Sequence, residues 1–98
     1  MNDTEKAFAD EVVKVLKAAG YRVFFDAREN PGAFAVKLMA ERRGADPSRG
    51  IACVVSHVEY WSYTLIWFPG TADRRASGRF DSPAELAALL NAAWKGEK

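Results

Sequence analysis

IACVVSHVEYWSYTLIWF, Ile51 to Phe68, contains neither glycine nor proline, and its reading decides the fold. As one strand it would extend roughly 60 Å, far longer than a small domain is wide. The run must therefore turn inside itself. Its most polar stretch is Ser56 to Glu59, which places a hairpin there, and the strand that follows, Trp61 to Phe68, is ended by Pro69 and Gly70.

Upstream, Gly44 to Gly50 carries two glycines, a proline, Asp46 and Ser48, and reads as a loop. Before it the alternation is strict. Phe34, Val36, Leu38 and Ala40 fall on one side, and Ala35, Lys37, Met39 and Glu41 on the other, which is the period of a strand over Phe34 to Arg43. Tyr21 to Arg28 is aromatic and β-branched and closes at Asn30, Pro31 and Gly32, where proline presets one φ and glycine accepts a positive one.

The flanks are helical. Phe8, Val12, Val15, Leu16 and Ala19 recur at helical spacing, with acids early, Lys14 and Lys17 late, and Gly20 as the stop. At the other end Ser82, Pro83 and Glu85 supply an N-cap, a first-turn proline and a capping-box partner, followed by the stripe Leu86, Leu89, Leu90, Ala93 and Trp94. Short connections between these runs favour a four-stranded antiparallel meander with both helices on one face. The expected fold is a single α+β domain over residues 1–98, a two-layer sandwich of order α-β-β-β-β-α.

With 98 residues and an apolar fraction of 49%, the chain has enough material for one small core. Its 14 Lys and Arg against 13 Asp and Glu remove any global attraction to nucleic acid or membrane, so electrostatic function has to be local. Cys53 is the sole cysteine, which excludes an internal disulfide and points to a reducing cytosol. Residues 1–6 are polar and acidic, unlike a signal peptide, and no apolar run reaches the ~20 residues of a membrane span. A cytoplasmic protein is expected.

Two helices can cover only one face of such a sheet. The other then exposes several of Phe24, Met39, Val54 and Ile66, or the set Trp61, Tyr63 and Trp67, depending on register. Residues 69 to 81 folding back over that face would be the mundane solution. A partner groove or homodimer surface with Trp61, Tyr63 and Trp67 as anchors is the functional one. In a meander, moreover, the loops after the second and fourth strands share one end of the sheet, which would gather Arg42, Arg43 and Arg49 with Arg74, Arg75 and Arg79. Guanidinium groups grip carboxylate or phosphate, so this edge suits a protein partner, with nucleic acid as the alternative.

Catalytic chemistry has little to stand on. His57 is the sole histidine, and in one strand it would lie roughly 13 Å from Cys53, too far to share a metal or a proton. Gly44 and Gly50 do not form a phosphate loop, and a small-molecule or metal enzyme would draw support only from an acid cluster around Asp26, Glu41 and Glu59. No cofactor, metal or enzyme activity is expected. An RNA-recognition signature is absent, and the helix, three strands, helix order of double-stranded-RNA-binding domains is a weak topological neighbour.

The run Gly20 to Asp26, then Pro31 and Gly32, Val54 to Ser56, and Tyr60, Trp61 and Ser62, resembles the middle of a TIR domain. That resemblance implies a helix over residues 34 to 43 and an NAD-cleaving glutamate after Trp61. The residues depart from it at both places, through the strand alternation and through the serine at position 62. The expectation drawn from the residues is a small non-enzymatic interaction protein of inhibitor, immunity or accessory type, bacterial or phage, that binds a protein partner.

Overall fold

The computed structural model describes residues 2–30, 32, 36–68 and 75–95. Its order is α1 (Asp3–Ala18), β1 (Arg22–Asp26), a 3-10 turn (Ala27–Glu29), β2 (Val36–Arg43), β3 (Gly50–His57), β4 (Trp61–Phe68), β5 (Arg75–Arg79) and α2 (Pro83–Lys95). All five strands pair antiparallel with their neighbours in the chain, giving the sheet β1-β2-β3-β4-β5. The α+β class and the meander are those read from the sequence. The strand count is not.

The added strand lies in the stretch expected to be loop. Ala76, Gly78 and Phe80 fall on one side of it and Arg75, Ser77 and Arg79 on the other, but no β-branched residue marks it. Register pairs it with β4 from Ser62↔Arg79 to Ile66↔Arg75. Gly78 sits beneath Tyr63, whose Oη would lie 3.1 Å from any β-carbon placed there.

The chain turns between β3 and β4 at Val58, Glu59 and Tyr60, so Ser56 and His57 belong to β3 rather than to the turn. Likewise β1 ends at Asp26, where its carboxylate accepts from the Arg28 amide at 2.9 Å and starts the 3-10 turn. Of the turn expected at Asn30 to Gly32, Gly32 has the positive φ of 88° and Pro31 lies outside the described residues, as do Phe34 and Ala35. Residues 36–43 are a strand paired on both sides, so the helix implied there by the TIR resemblance is not formed.

The helices obey their sequence signals. Asn2 caps α1 by accepting from the Glu5 amide at 2.8 Å and donating to the Glu5 carboxylate at 3.2 Å. At its other end Gly20 takes φ +87°, Gly20 N–H donates to Lys17 O and Tyr21 N–H to Leu16 O. This reversal satisfies two terminal carbonyls and requires a left-handed residue, hence glycine. Ser82 Oγ accepts from Glu85 N at 3.1 Å to open α2.

Both helices lie on one face. Val12 and Leu16 of α1 and Leu86 and Leu90 of α2 are buried against Leu38, Ala40, Ile51, Cys53, Val55 and Leu65, with Phe80 beside them. Phe8 stacks on Trp61 with ring centroids 4.4 Å apart, and the Phe80 ring lies 5.9 Å from Phe8, so the two helices start at the same end of the sheet. They finish together around Arg42.

Candidate functional site

Register settles which side chains share a face. Val36↔His57↔Trp61, Leu38↔Val55↔Tyr63, Ala40↔Cys53↔Leu65 and Arg42↔Ile51↔Trp67 form rows under the helices. Trp61, Tyr63 and Trp67 are thus not anchors on an exposed face, contrary to their expected role. They pack on the core, where the Phe80 ring meets Trp61 at 6.1 Å and Tyr63 at 6.4 Å. The reason is economy of burial: the helix face is where the largest apolar area leaves water.

The second face carries the alternate residues. Its rows are Lys37↔Ser56↔Ser62↔Arg79, then Phe25↔Met39↔Val54↔Thr64↔Ser77, then Arg22↔Glu41↔Ala52↔Ile66↔Arg75, and finally Arg43↔Gly50↔Phe68. Every buried strand side chain belongs to the helix face, whereas Met39, Val54, Thr64 and Ile66 are half-buried on the face that neither described helix covers. Gly50 is buried because the Phe68 ring lies across it. An aliphatic centre is therefore bordered by Arg22, Lys37, Arg43, Arg75 and Arg79, with Glu41 the one acid of these rows.

That is five cations against one carboxylate, an excess of four on a chain whose net charge is +1, so the remainder of the sequence is net acidic. Cation charge is concentrated on one face rather than spread.

Of the arginines expected to gather at one edge, Arg42, Arg43, Arg49 and Arg75 lie at that end of the sheet but on different sides of it, and Arg79 does not. Arg42 points to the helix side, where its Nη1 donates to Ala19 O at 3.0 Å and its guanidinium lies 4.0 Å above the Trp94 ring. It clamps the ends of the two helices. Arg43 is on the open face, 4.5 Å above the Phe68 ring, donating to Pro47 O at 2.8 Å and to Glu41 at 3.4 Å. Glu41 also accepts from Arg22 at 3.1 Å. Arg49 is exposed in the loop, whose turn is closed by Gly44 N to Arg49 O and Arg49 N to Asp46 O. Arg75 is exposed on the open face at this end. Arg79 is at the opposite end, because β5 reverses the chain, and its guanidinium lies 4.1 Å above the Tyr60 ring. Arg74 lies outside the described residues.

Among the described residues, hollows adjoin the sheet at two places. One, of about 330 Å³, lies between α1 and the β1 edge and is lined by Lys17, Phe24, Asp26, Arg28 and Asn30 among others. Its charges are internally matched. Arg28 Nε donates to Asp26 at 2.9 Å and the same guanidinium reaches Asp10 of α1, so the Arg28 guanidinium holds the Asp26 carboxyl below the usual range. The other, of about 270 Å³, lies at the β3–β4 turn beside Val58, Glu59, Tyr60 and Ser62. Val58 is 79% exposed and Tyr60 46%, high for apolar side chains.

The groups weighed for catalysis are separated. Asp26 faces the helices and Glu41 the open side. Burial raises the Cys53 thiol to about 12, and His57 lies against Trp61 with ring centroids 4.8 Å apart. Among the described residues no group of three or more His, Cys, Asp or Glu is placed to hold a metal ion. Nor is any described helix long and apolar enough to cross a membrane.

Sequence reasoning missed Lys37, Ser56 and Ser62 as surface neighbours. Their juxtaposition follows from a turn centred on Glu59, and that turn carries Val58 and Tyr60 in place of the glycine or asparagine that marks most hairpins. No protein-family model matches the chain, and no curated protein or solved structure matches it.

Proposed function

We propose that the protein is a non-enzymatic docking module that binds an acidic protein surface through the open face of its sheet. The observation that carries this reading is the aliphatic centre of Met39, Val54 and Ile66 ringed by an excess of cations. Apolar surface supplies affinity, and the ring selects a partner of opposite charge. Strand geometry makes the face about 26 by 19 Å in plan, the scale of a small to standard interface.

The protein reading is favoured over the nucleic-acid one by where the expected stacking rings lie. Base stacking needs exposed rings, and Trp61, Tyr63 and Trp67 pack on the core while Phe68 lies under Arg43; the exposed rings Phe24 and Tyr60 stand at the β1 edge and the β3–β4 turn rather than on the centre of the face. Face-to-face pairing of two copies is also disfavoured, since it would press one cationic face against another.

A photoreactive side chain at Val54, compared with one at the exposed Lys14 of α1, tests the reading in extracts of the source organism. Covalent capture of an acidic protein from the Val54 position is expected. The purified pair should then bind in a salt-sensitive way that Ile66→Glu abolishes. Capture of nucleic acid, of a second copy, or of partners from the Lys14 position alone would overturn it.

A further inference from the structure

The row at the β3–β4 end differs in kind from the rest of the open face. Lys37, Ser56, Ser62 and Arg79 stand on four adjacent strands in a straight transverse line. The two hydroxyl oxygens at its centre are 3.2 Å apart, and Ser62 Oγ is also 3.4 Å from Ser56 O. A cation flanks the pair on each side. Three strand spacings separate Lys37 from Arg79, about 14 Å, a span that two long side chains can close by leaning inward once Arg79 leaves the Tyr60 ring.

Among the described residues these donors have no acid to occupy them, and the Arg79 guanidinium meets only the face of the Tyr60 ring. At the other end Glu41 holds both Arg22 and Arg43, but among the described residues no carboxylate pairs with Lys37 or Arg79. The serines contact each other through hydroxyl hydrogens that rotate, and the 3.4 Å contact is long enough to give up little when an acceptor arrives.

We propose that Lys37, Ser56, Ser62 and Arg79 form a phosphate-monoester site that receives a phosphorylated side chain of the protein partner. The proposal rests on the docking reading above and names the group that reading left open. An ammonium, a guanidinium and a hydroxyl pair make three sets of donors, and a phosphoryl group offers three terminal oxygens where a carboxylate has two. Its charge approaches −2 near neutrality, matching the two cations. The adjoining hollow at Val58, Tyr60 and Ser62 seats an apolar residue next to the phosphorylated one. Glu59 also lines that hollow, so its charge opposes the ligand.

The test is an amide-resolved NMR titration of the full chain with inorganic phosphate at pH 7.5, against acetate at matched ionic strength. Saturable shifts at residues 37, 56, 62 and 79, with a dissociation constant on the order of millimolar, are expected for phosphate alone. Lys37→Ala, Arg79→Ala and the Ser56→Ala, Ser62→Ala pair should each weaken binding about fivefold or more, while Arg75→Ala on the same face does not. Glu59→Gln should tighten it. A phosphoserine peptide should then bind better than its glutamate counterpart and better than a phosphodiester oligonucleotide.

Equal response to acetate, equal loss in Arg75→Ala, or preference for the oligonucleotide would overturn the proposal. Because inorganic phosphate reports on the row alone, its failure leaves the Val54 capture result standing, and failure of that capture leaves a phosphate result standing.

Discussion

Arg42 was expected at a partner-binding edge, and its surroundings make it a structural clamp with a measurable worth. Replacing it by alanine removes a charge-assisted hydrogen bond to Ala19 O at 3.0 Å, at the carbonyl end of α1, and a stack 4.0 Å above Trp94 of α2. A hydrogen bond from a charged group contributes about 1.5–3 kcal/mol net and a part-buried cation–π contact about 0.5–2, with some overlap because one guanidinium makes both. The expected loss is therefore about 2–4 kcal/mol. For a domain near 100 residues this lowers the thermal midpoint by roughly 10–25 °C.

Urea and thermal denaturation of Arg42→Ala, Arg42→Lys and Trp94→Ala, with the double variant, measure it. Arg42→Lys should recover only part of the loss, since an ammonium can reach the carbonyl but has no plane to stack. A double-mutant cycle should return a coupling of about 0.5–2 kcal/mol between Arg42 and Trp94. Arg42→Ala within about 0.5 kcal/mol of wild type, or Arg42→Lys indistinguishable from it, would refute the clamp.

The buried thiol of Cys53, pushed up to about 12, makes the unfolded chain the first to lose this proton. Stability is then full below about pH 8.5 and declines as pH rises toward the folded value, a slope that Cys53→Ala should flatten in urea titrations between neutral and alkaline pH. For Asp26 the sign is reversed. Its carboxyl is held low by Arg28, so it contributes above about pH 4 and the contribution vanishes as pH falls through the folded value; Asp26→Asn should shed less stability on acidification than wild type, and equal slopes would contradict this. Gly50→Ala should be poorly tolerated, since the new methyl would crowd the Arg42 carbonyl and lie 2.7 Å from Phe68 Cζ. A loss of about 1–3 kcal/mol is expected by chemical denaturation, and a neutral outcome would mean the Phe68 ring is not held over the sheet.

What could be read beforehand depended on how loudly each residue speaks. Ser82, Pro83 and Glu85 specify a helix start through local chemistry alone, and the alternation of Val36 to Glu41 fixes a strand without help from neighbours. β5 was silent because Ala76, Ser77 and Gly78 have no strand preference and are held by Tyr63 and the β4 backbone, which no local pattern encodes. The same gap moved Arg79: once an unforeseen strand reverses the chain, a residue assigned to one end of the sheet arrives at the other. The face of Trp61, Tyr63 and Trp67 was undecided for a different reason, since both sides of β4 are apolar enough to be buried and only the competition between them for two helices settles it.

The pairing of each strand with its neighbour in the chain also dictates an order of events. The β3–β4 hairpin closes across three residues and the β2–β3 hairpin across six, so each forfeits little chain entropy. By contrast, α1 and α2 come from opposite ends of the sequence and meet on one face only after the strands that separate them in the chain have paired. Folding should begin in those hairpins. Leu90→Ala, at the helix layer, should accelerate unfolding and leave the refolding rate nearly unchanged, and a slowed refolding limb would contradict that order. The two ends of the chain are its clasp, not its seed.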